Sequence, residues 1–274
     1  MQTNIMSVDL EDYYCDLPFS EWPKYESRVV ENTGLILDLF TKHDVKATFF
    51  VVGYIAELFP ELIKEISEKG HEIASHSHTH MDIRKSNPIE FENDLVKSIV
   101  TLENIIGKKI LGFRAPFFSI DSNSFWAMKI LKKHIKYDAS IFPVRTPLYG
   151  IPNAPRIIYN PSLDNPAQKN ESESLIEIPA ATHRLPILGN IPIAGGFHLR
   201  FLPYRYIRYG IKKMNNSGNP AMIYIHPKDL DHNMPKIKGY GWNYYYNLKN
   251  ARNKFEKLLS DFKFTTAEKI LNLE

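Results

Sequence analysis

Residues 45–80 read VKATFFVVGYIAELFPELIKEISEKGHEIASHSHTH, and this stretch decides the fold class. It begins with a β-branched and aromatic run that ends at Gly53, continues with helical spacing to Gly70, and closes with a second short apolar run. Gly70 is predicted to cap the helix, because glycine tolerates the left-handed backbone found there. A strand, a helix and a second strand in this order form a βαβ unit with parallel strands.

The same alternation continues on both sides of this unit. Upstream, NIMSVDL predicts a buried strand and RVVENTGLILDLFTKHD predicts a helix. Downstream, PIEFENDLVKSIVTLENIIG and SFWAMKILKKH predict helices, and KILGFRAP and IKYDAS predict strands. Further strands are predicted in SLIEIPAAT and PAMIYIHP, and further helices in LPYRYIRYGIKKMNN and YYYNLKNARNKFEKLLSDF. The pattern therefore predicts an α/β fold resembling a barrel.

The domain organisation is expected to be simple. The periodic pattern loosens after about Phe142, and we expect a loop-rich excursion around 143–200, with many Pro, Asn and Ser residues over 143–174. Neither an internal repeat nor a linker divides the chain. The sequence thus predicts one domain over residues 1–274.

The composition excludes several classes of protein. Of the 274 residues, 43% are hydrophobic and 24% are charged, which is typical of a globular protein. A formal charge of +3 without a dense basic block gives no reason to expect nucleic acid as a partner. Cys15 is the only cysteine, so an intrachain disulfide cannot form. We see no signal peptide and no membrane-spanning segment, and we expect a cytoplasmic location.

Ionisable residues recur where the predicted strands end. Parallel strands end at one edge of the sheet, where ligands of α/β folds collect, so these side chains are expected to meet. The strand bodies, in contrast, are apolar. The residues concerned are Asp9, Glu11 and Asp12 after the first strand, Ser75, His76 and His80 after the third, and Arg114, Asp138 and His226 after later ones.

Two of these histidines are candidate metal ligands. His76 and His80 are four residues apart, so on one helical turn their imidazoles would share a face and bind one ion. A carboxylate from the first strand would complete the site. Strand alternation favours Glu11, whereas a turn after Leu10 would favour Asp12. Two imidazoles and one carboxylate suit zinc, cobalt, iron or nickel better than magnesium.

Six ordered motifs make the chain resemble the polysaccharide deacetylases, the NodB-homology or family-four carbohydrate esterases. The motifs are SVDLEDYY, ATFFVVG, HEIASHSHTH, GFRAPFFSI, YDASIFP and IYIHP. The resemblance extends over nearly the whole chain. The stretches IPIAGGFHLRFLPY and HPKDLD are similar to a subgroup associated with exopolysaccharides.

The resemblance implies a distorted (β/α) barrel of about seven strands that hydrolyses the N-acetyl group of an amino sugar. It also implies one divalent ion, zinc as first choice with cobalt or nickel as alternatives. The implied roles are Asp9 as general base, His76 and His80 as metal ligands, Arg114 as the residue orienting the base, His226 as general acid, Asp138 as the acid partnering that histidine, and the backbone N–H of Phe117 as oxyanion donor.

Other expectations concern the surroundings of the site. Tyr224 and Trp242 are candidate substrate contacts, although Trp242 also fits a packed helix start. His78 is expected to face solvent or the cleft mouth, and Gly195 with Gly196 to form a tight turn near the site. Lys228 stands where the subgroup often has tryptophan, and its role is left open between a sugar-stacking surface and a packing contact.

The leading hypothesis is a metal-dependent N-deacetylase. With no leader seen, its substrate would be an intracellular precursor: a nucleotide-linked sugar, a lipid-linked sugar or a nascent glycan. One alternative is an allantoinase-like hydrolase of cyclic amides, since relatives with this fold act on ring amides. Another is a glycan-binding protein without catalysis. The oligomeric state is left open.

Overall fold

Eight of the ten described strands form one parallel sheet, which curls into a distorted barrel. A computed structural model of the chain describes residues 2–273. Its strands are β1 (Thr3–Leu10), β2 (Thr48–Val51), β3 (Glu72–Ser75), β4 (Gly112–Phe113), β5 (Tyr137–Asp138), β6 (Ile176–Glu177), β7 (Thr182–Leu185), β8 (Gly189–Pro192), β9 (Met222–Ile225) and β10 (Lys263–Thr265). Neighbouring strands follow the order β9, β1, β2, β3, β4, β5, β6, and every pair is parallel.

The two edges of this sheet meet. Beyond β6, Ala180 forms a parallel bridge with Met222 at the start of β9. The short strand β10 pairs with the first residues of β1, from Thr3 to Ile5. Seven strands thus build the barrel, as the resemblance implied, and β10 supports its N-terminal end.

Ten helices are described, and most connect consecutive strands. They are α1 (Val29–Lys42), α2 (Gly53–Leu58), α3 (Pro60–Glu68), α4 (Pro88–Ile106), α5 (Ala127–His134), α6 (Gly196–Phe201), α7 (Tyr204–Asn216), α8 (Trp242–Tyr245), α9 (Leu248–Asp261) and α10 (Ala267–Leu271). The helix predicted after Gly53 is two helices, because Pro60 begins α3 and cannot continue α2. Over residues 2–273, no helix is both long enough and apolar enough to cross a bilayer.

Buried side chains form two layers, one inside the barrel and one between the sheet and the helices. Phe50 belongs to the inner layer, with Ile5, Ala74 and Tyr137. Phe49, the preceding residue, belongs to the outer layer, which includes Phe40 of α1. Because both faces of each strand are covered, the strand sequences are almost continuously apolar.

The second half of the chain is less regular than the first. Residues 139–175 form a long connection from β5 to β6, with isolated bridges such as Pro161 with Lys169. The strand expected over SLIEIPAAT is limited to Ile176–Glu177. After it, β7 and β8 form an antiparallel hairpin that the sequence pattern did not predict.

Candidate active site

Six of the predicted site residues come together at the carboxyl end of the barrel. Asp9 belongs to β1 and Glu11 follows it, while His76 and His80 follow β3. Arg114 directly follows β4, and His226 directly follows β9. Buried strands therefore hold these side chains from below, and the contacts described next join them into one cluster. The six are Asp9, Glu11, His76, His80, Arg114 and His226.

Glu11, His76 and His80 form the group best suited to hold a metal ion. Their ligand atoms lie within 4.8 Å of one another, and all three residues are buried. His76 Nδ1 lies 2.7 Å from the carbonyl oxygen of Arg114, and His80 Nδ1 lies 2.9 Å from that of Cys15. A carbonyl oxygen only accepts hydrogen bonds, so Nδ1 carries the hydrogen and Nε2 is left to bind a metal.

The carboxylate of Glu11 faces the Nε2 atoms of both histidines. Its Oε2 contacts His80 Nε2 and lies 3.7 Å from His76 Nε2. Burial by itself would raise the pKa of Glu11, but the charge of Lys228, followed by those of His80 and His226, lowers that pKa well below the ordinary range. Glu11 is therefore ionised, as a metal ligand must be.

Asp12 is not part of this group. Its carboxylate accepts a hydrogen bond from Ser27 Oγ and further ones from the backbone N–H groups of Tyr13, Arg28 and Val29. These bonds fix the start of α1. Of the two alternatives that the sequence left open, the structure places Glu11 with the histidines.

The two histidines lie on an irregular loop, and the prediction of a helical turn is wrong. Ser77 and His80 both have positive φ, 60° and 53°, which breaks any helical repeat. Ser77 Oγ accepts a hydrogen bond from the backbone N–H of Met81, and Asp94 accepts two from those of His78 and Thr79. The loop is therefore held by its own polar contacts.

The expectation that His78 faces solvent or the cleft mouth is also wrong. The residue is 2% exposed, and its ring lies against Gly53, where an added Cβ would meet its Nδ1 at 2.4 Å. Its Nε2 lies 3.5 Å from Glu57 Oε2. Burial lowers the pKa of His78 despite the opposing charge of Glu57. The side chain therefore packs the loop against α2.

Arg114 contacts Asp9, the residue that it is predicted to orient. Its Nη1 lies 2.5 Å from Asp9 Oδ1 and 3.0 Å from Ser7 Oγ, and its guanidinium stacks on Phe50 at 4.2 Å. Arg114 is fully buried, and Asp9 is 2% exposed. A buried carboxylate needs a partner of this kind to remain charged.

His226 is held by Asp229, not by Asp138. Its Nδ1 lies 2.8 Å from Asp229 Oδ2, so the carboxylate accepts a hydrogen bond from Nδ1–H and Nε2 faces the cluster. That Nε2 lies 3.8 Å from both Asp9 Oδ2 and Glu11 Oε1. Burial alone would lower the pKa of His226, but the charge of Asp229 raises it above the ordinary value. His226 is therefore suited to carry a proton.

Two buried side chains that the sequence analysis missed complete this arrangement. Arg200 Nε lies 3.1 Å from Asp229 Oδ1, and both residues are at most 5% exposed. Asp229 was detectable from spacing, because it lies three residues after His226 in the turn Pro227–Leu230 and caps that turn. Arg200 carried no such local signal, since α6 brings it from a distant part of the chain.

Asp138 lies behind Arg114 and pairs with another carboxyl group. Asp138 and Glu177 lie opposite each other on β5 and β6, and burial raises the pKa of both carboxyl groups. Asp138 Oδ1 also accepts from Ser140 Oγ, and Ser140 Oγ accepts from the backbone N–H of Ala115. Asp138 thus supports the strand ends beneath the site, and its predicted pairing with His226 is wrong.

Lys228 has a role that neither open alternative described. Its Nζ lies 2.7 Å from Glu11 Oε1 and 2.9 Å from Asp16 Oδ2, and its side chain is 11% exposed. Burial alone would lower the pKa of Lys228, but Asp16 and Glu11 raise it well above the ordinary value. The ammonium group thus holds the Glu11 oxygen that faces away from the histidine pair.

The turn at Gly195 and Gly196 lies beside the site, as expected. Gly195 has φ 92°, and an added Cβ would meet the Tyr224 hydroxyl at 2.6 Å. At Gly196 an added Cβ would meet Asp229 Oδ2 at 1.6 Å. Glycine at these positions lets the backbone approach the residues that hold His226.

The predicted substrate contacts lie at different depths. Tyr224 is 6% exposed, and its ring centroid lies 5.6 Å from that of His226. Phe117 has φ 57°, and its ring lies 4.7 Å from that of His80. Trp242 is 65% exposed and its ring packs near those of Phe197, Phe201 and Tyr246. The substrate roles of all three remain predictions.

Known proteins match this chain in sequence. A profile described as Polysaccharide deacetylase matches residues 18–134, and one described as a domain of unknown function, DUF3473, matches residues 139–272. A peptidoglycan-N-acetylglucosamine deacetylase of Bacillus cereus is 37% identical over 99 residues, which cover 36% of each chain. The chain thus spans about a third of the length of that curated relative.

Solved structures match the fold over nearly the whole chain. A crystal structure from Mycobacterium smegmatis, described as a polysaccharide deacetylase, covers 99% of this chain and 90% of its own, at TM-score 0.61 and 16% identity. A Bacillus anthracis protein described as a family-four carbohydrate esterase pseudoenzyme covers 98% and 65%, at TM-score 0.51 and 14% identity. The fold agrees with these structures, and the deacetylase profile spans His76, His80 and Arg114. Over residues 18–134, the chain belongs to the polysaccharide deacetylase family.

Proposed function

We propose that the protein is a metal-dependent hydrolase that removes the N-acetyl group from an N-acetylated amino sugar or glycan. One observation carries the proposal: the Glu11–His76–His80 group lies beside a carboxylate held by Arg114 and an imidazole held by Asp229. Amide hydrolysis needs these three kinds of group, namely an electrophilic centre, a base and an acid.

The residues present fit a divalent ion. Both imidazoles offer Nε2, and Glu11 adds one carboxylate, which leaves positions open for water and substrate. We assign the site to zinc first, with cobalt or nickel as alternatives that accept the same ligands. When bound, the ion supplies polarisation of the amide carbonyl and acidification of water.

The side chains around the ion divide the proton transfers between them. Asp9, held in place by Arg114, accepts the proton of the attacking water. His226, kept as an imidazolium by Asp229, donates a proton from Nε2 to the leaving amine. Each transfer contributes roughly 10²–10⁴-fold to the rate. The backbone N–H of Phe117 is assigned to the developing oxyanion.

N-acetylglucosamine oligomers are the first substrate to test. The relative from Bacillus cereus is named for N-acetylglucosamine in peptidoglycan. The half-buried ring of Phe197 lies 5.9 Å from the guanidinium of Arg200, which holds Asp229, and the exposed ring of Trp242 packs beside Phe197. These rings offer faces on which a pyranose ring can stack. We therefore propose a glycan rather than a free small amide as the substrate.

Metal content tests the metal site directly. Wild-type protein, stripped and reloaded with zinc, is expected to bind about one equivalent, and His76→Ala/His80→Ala is expected to bind none. His232→Ala removes the same side chain from an exposed position and serves as the matched control. Retention of stoichiometric zinc by the double variant would place the metal elsewhere.

Acetate release from N-acetylglucosamine oligomers tests the chemistry. Asp9→Asn and His226→Ala are expected to keep zinc and to lose acetate release by at least roughly a hundredfold each. Stoichiometric zinc in a wild-type protein that binds oligomers without releasing acetate would indicate a non-catalytic glycan-binding protein. Hydrolysis of a cyclic amide such as allantoin, without acetate release, would indicate the allantoinase-like alternative.

A further inference from the structure

The β7–β8 hairpin ends in an exposed aliphatic tip. Its turn contains Ile187 and Leu188, which are 95% and 72% exposed. Leu148, on the long connection between β5 and β6, is also 72% exposed. Exposing such apolar side chains to water is unfavourable. Ile187 is the most exposed large hydrophobic residue in the described part of the chain.

Cations without acidic partners surround this tip. Arg145, Arg156 and Arg184 line a cleft of ≈ 750 Å³ together with Ile187 and Leu188. Across residues 2–273, the guanidinium groups of these arginines make neither an ion pair nor a hydrogen bond. Most other arginines of the chain have such partners: Arg28, Arg84, Arg114, Arg200 and Arg208.

A second cleft on the same face extends the positive charge. Its volume is ≈ 440 Å³, and Arg156, His183, Arg184 and Lys213 are among its lining residues. Neither cleft has an aspartate or glutamate in its lining. Burial and the charge of Arg184 both lower the pKa of Arg156, so these cations repel one another without a counter-charge. The buried hydroxyl of Thr182, also in this lining, has no hydrogen-bond partner among the described residues.

We propose that this basic hairpin face, made of Arg145, Arg156, Arg184, Ile187 and Leu188, docks the protein on an anionic membrane surface. An anionic bilayer supplies both phosphate groups for the arginines and an apolar layer for the two tip side chains. A hydrated acidic glycan would satisfy the arginines but would give Ile187 and Leu188 nothing to bury against. The aliphatic tip therefore favours a bilayer over a soluble polyanion.

The face is suited to reversible peripheral binding. Each arginine near an anionic surface strengthens membrane binding roughly fivefold, so two arginines strengthen it about 25-fold. The two tip side chains, Ile187 and Leu188, would insert partly into the bilayer and strengthen binding roughly another tenfold. Because neither contribution suffices alone, binding is expected to need both and to weaken as salt rises.

Vesicle sedimentation of the full chain tests the proposal. We expect binding to vesicles of phosphatidylcholine with phosphatidylglycerol, and little binding to phosphatidylcholine alone. Arg145→Gln/Arg184→Gln is expected to weaken binding about 25-fold, and Ile187→Ser/Leu188→Ser roughly tenfold. All four positions are exposed, so folding is expected to be retained and is checked by thermal melting.

The control pair removes the same charge from another exposed surface. Lys249→Gln/Arg252→Gln on α9 is expected to bind the vesicles within about twofold of wild type, since α9 is not part of the face. Absence of binding to the phosphatidylglycerol vesicles would overturn the proposal. So would tip variants that bind as wild type, or a preference for polygalacturonate over vesicles, because these results would indicate a site for soluble anions.

Discussion

The buried carboxyl pair of Asp138 and Glu177 is expected to make the folded state less stable as pH rises. Both residues are fully buried. In residues 2–273, neither Asp138 Oδ2 nor Glu177 Oε2 has a hydrogen-bond partner, so we expect the two carboxyl groups to share a proton. Burial raises the pKa of Asp138 to about 6 and that of Glu177 well above its ordinary value. An unfolded chain loses these protons near pH 4.

The direction of the change in unfolding free energy with pH follows from the number of protons bound in each state. Above about pH 4, the folded protein holds at least one more proton at this pair than the unfolded chain does. The free energy of unfolding therefore falls by about 1.4 kcal/mol per pH unit until the folded pair ionises. For a pKa moved from 3.8 to about 6, this amounts to about 3 kcal/mol. Stability from the pair is fully present below about pH 4 and is lost above about pH 6.

Glu177→Gln removes the part of this dependence that Glu177 contributes. Glutamine keeps Oε1, which accepts from the backbone N–H of Ile141 at 3.0 Å, and its Nε2 can donate to Asp138 without a titratable proton. We expect the variant to be as stable as wild type near pH 4 and more stable than wild type near pH 7, because burial raises the pKa of Glu177 and glutamine has no proton to lose. Urea unfolding of metal-free protein from about pH 5 to about pH 8 measures the difference.

The difference between the two proteins isolates the pair from other titrating groups. Glu72 has a pKa raised to about 7, whereas His71 has one lowered to about 4, and both change the stability of wild type and variant alike. Glu171→Gln, the same change on the surface, is the control and should show no pH-dependent gain. A stability difference between Glu177→Gln and wild type that stays constant across this pH range would refute the shared proton.

Three further predictions concern the surroundings of the site. Asp229→Asn should lower kcat/KM roughly a hundredfold and move the alkaline limb of the rate–pH profile to lower pH, because Asp229 raises the pKa of His226. Lys228→Met should destabilise metal-free protein by about 3–5 kcal/mol in urea, because it leaves Glu11 as a buried charge without its cation, and Lys228→Arg should restore part of the loss. Gly196→Ala should destabilise the protein by about 1–3 kcal/mol, because the added Cβ would collide with Asp229. A lower melting temperature would measure this loss.

The strands and the residues at their ends were predictable because both signals are local. The apolar runs that become β1, β2, β3 and β9 are buried on both faces, and those of β1, β3 and β9 end where ionisable residues begin. Strand alternation also favoured Glu11, two residues after Asp9 on the same face. The hairpin β7–β8 was missed because its strands lie outside the barrel and show little alternation of apolar and polar residues.

The partners of the site residues were not predictable to the same degree. Asp138 and Asp229 are both acids close to a strand end, and the direction of each side chain decides which of them meets His226. Asp138 faces the Glu177 carboxyl within the sheet, whereas Asp229 lies on the turn that His226 begins. A neighbour in space such as Glu177 leaves no trace in the local sequence.

Each carboxylate of the site has a buried cation of its own, and this pairing keeps the roles of the carboxylates distinct. Asp9 is bound by Arg114, Glu11 by Lys228, and Asp229 by Arg200. Without these cations, three carboxylates and a histidine so close together would share protons, and none would have a fixed charge. With them, His226 is the cluster member that the pairing leaves free to exchange a proton through Nε2, which lies 3.8 Å from both Asp9 and Glu11. The cations therefore separate ligand, base and acid within one small, buried space.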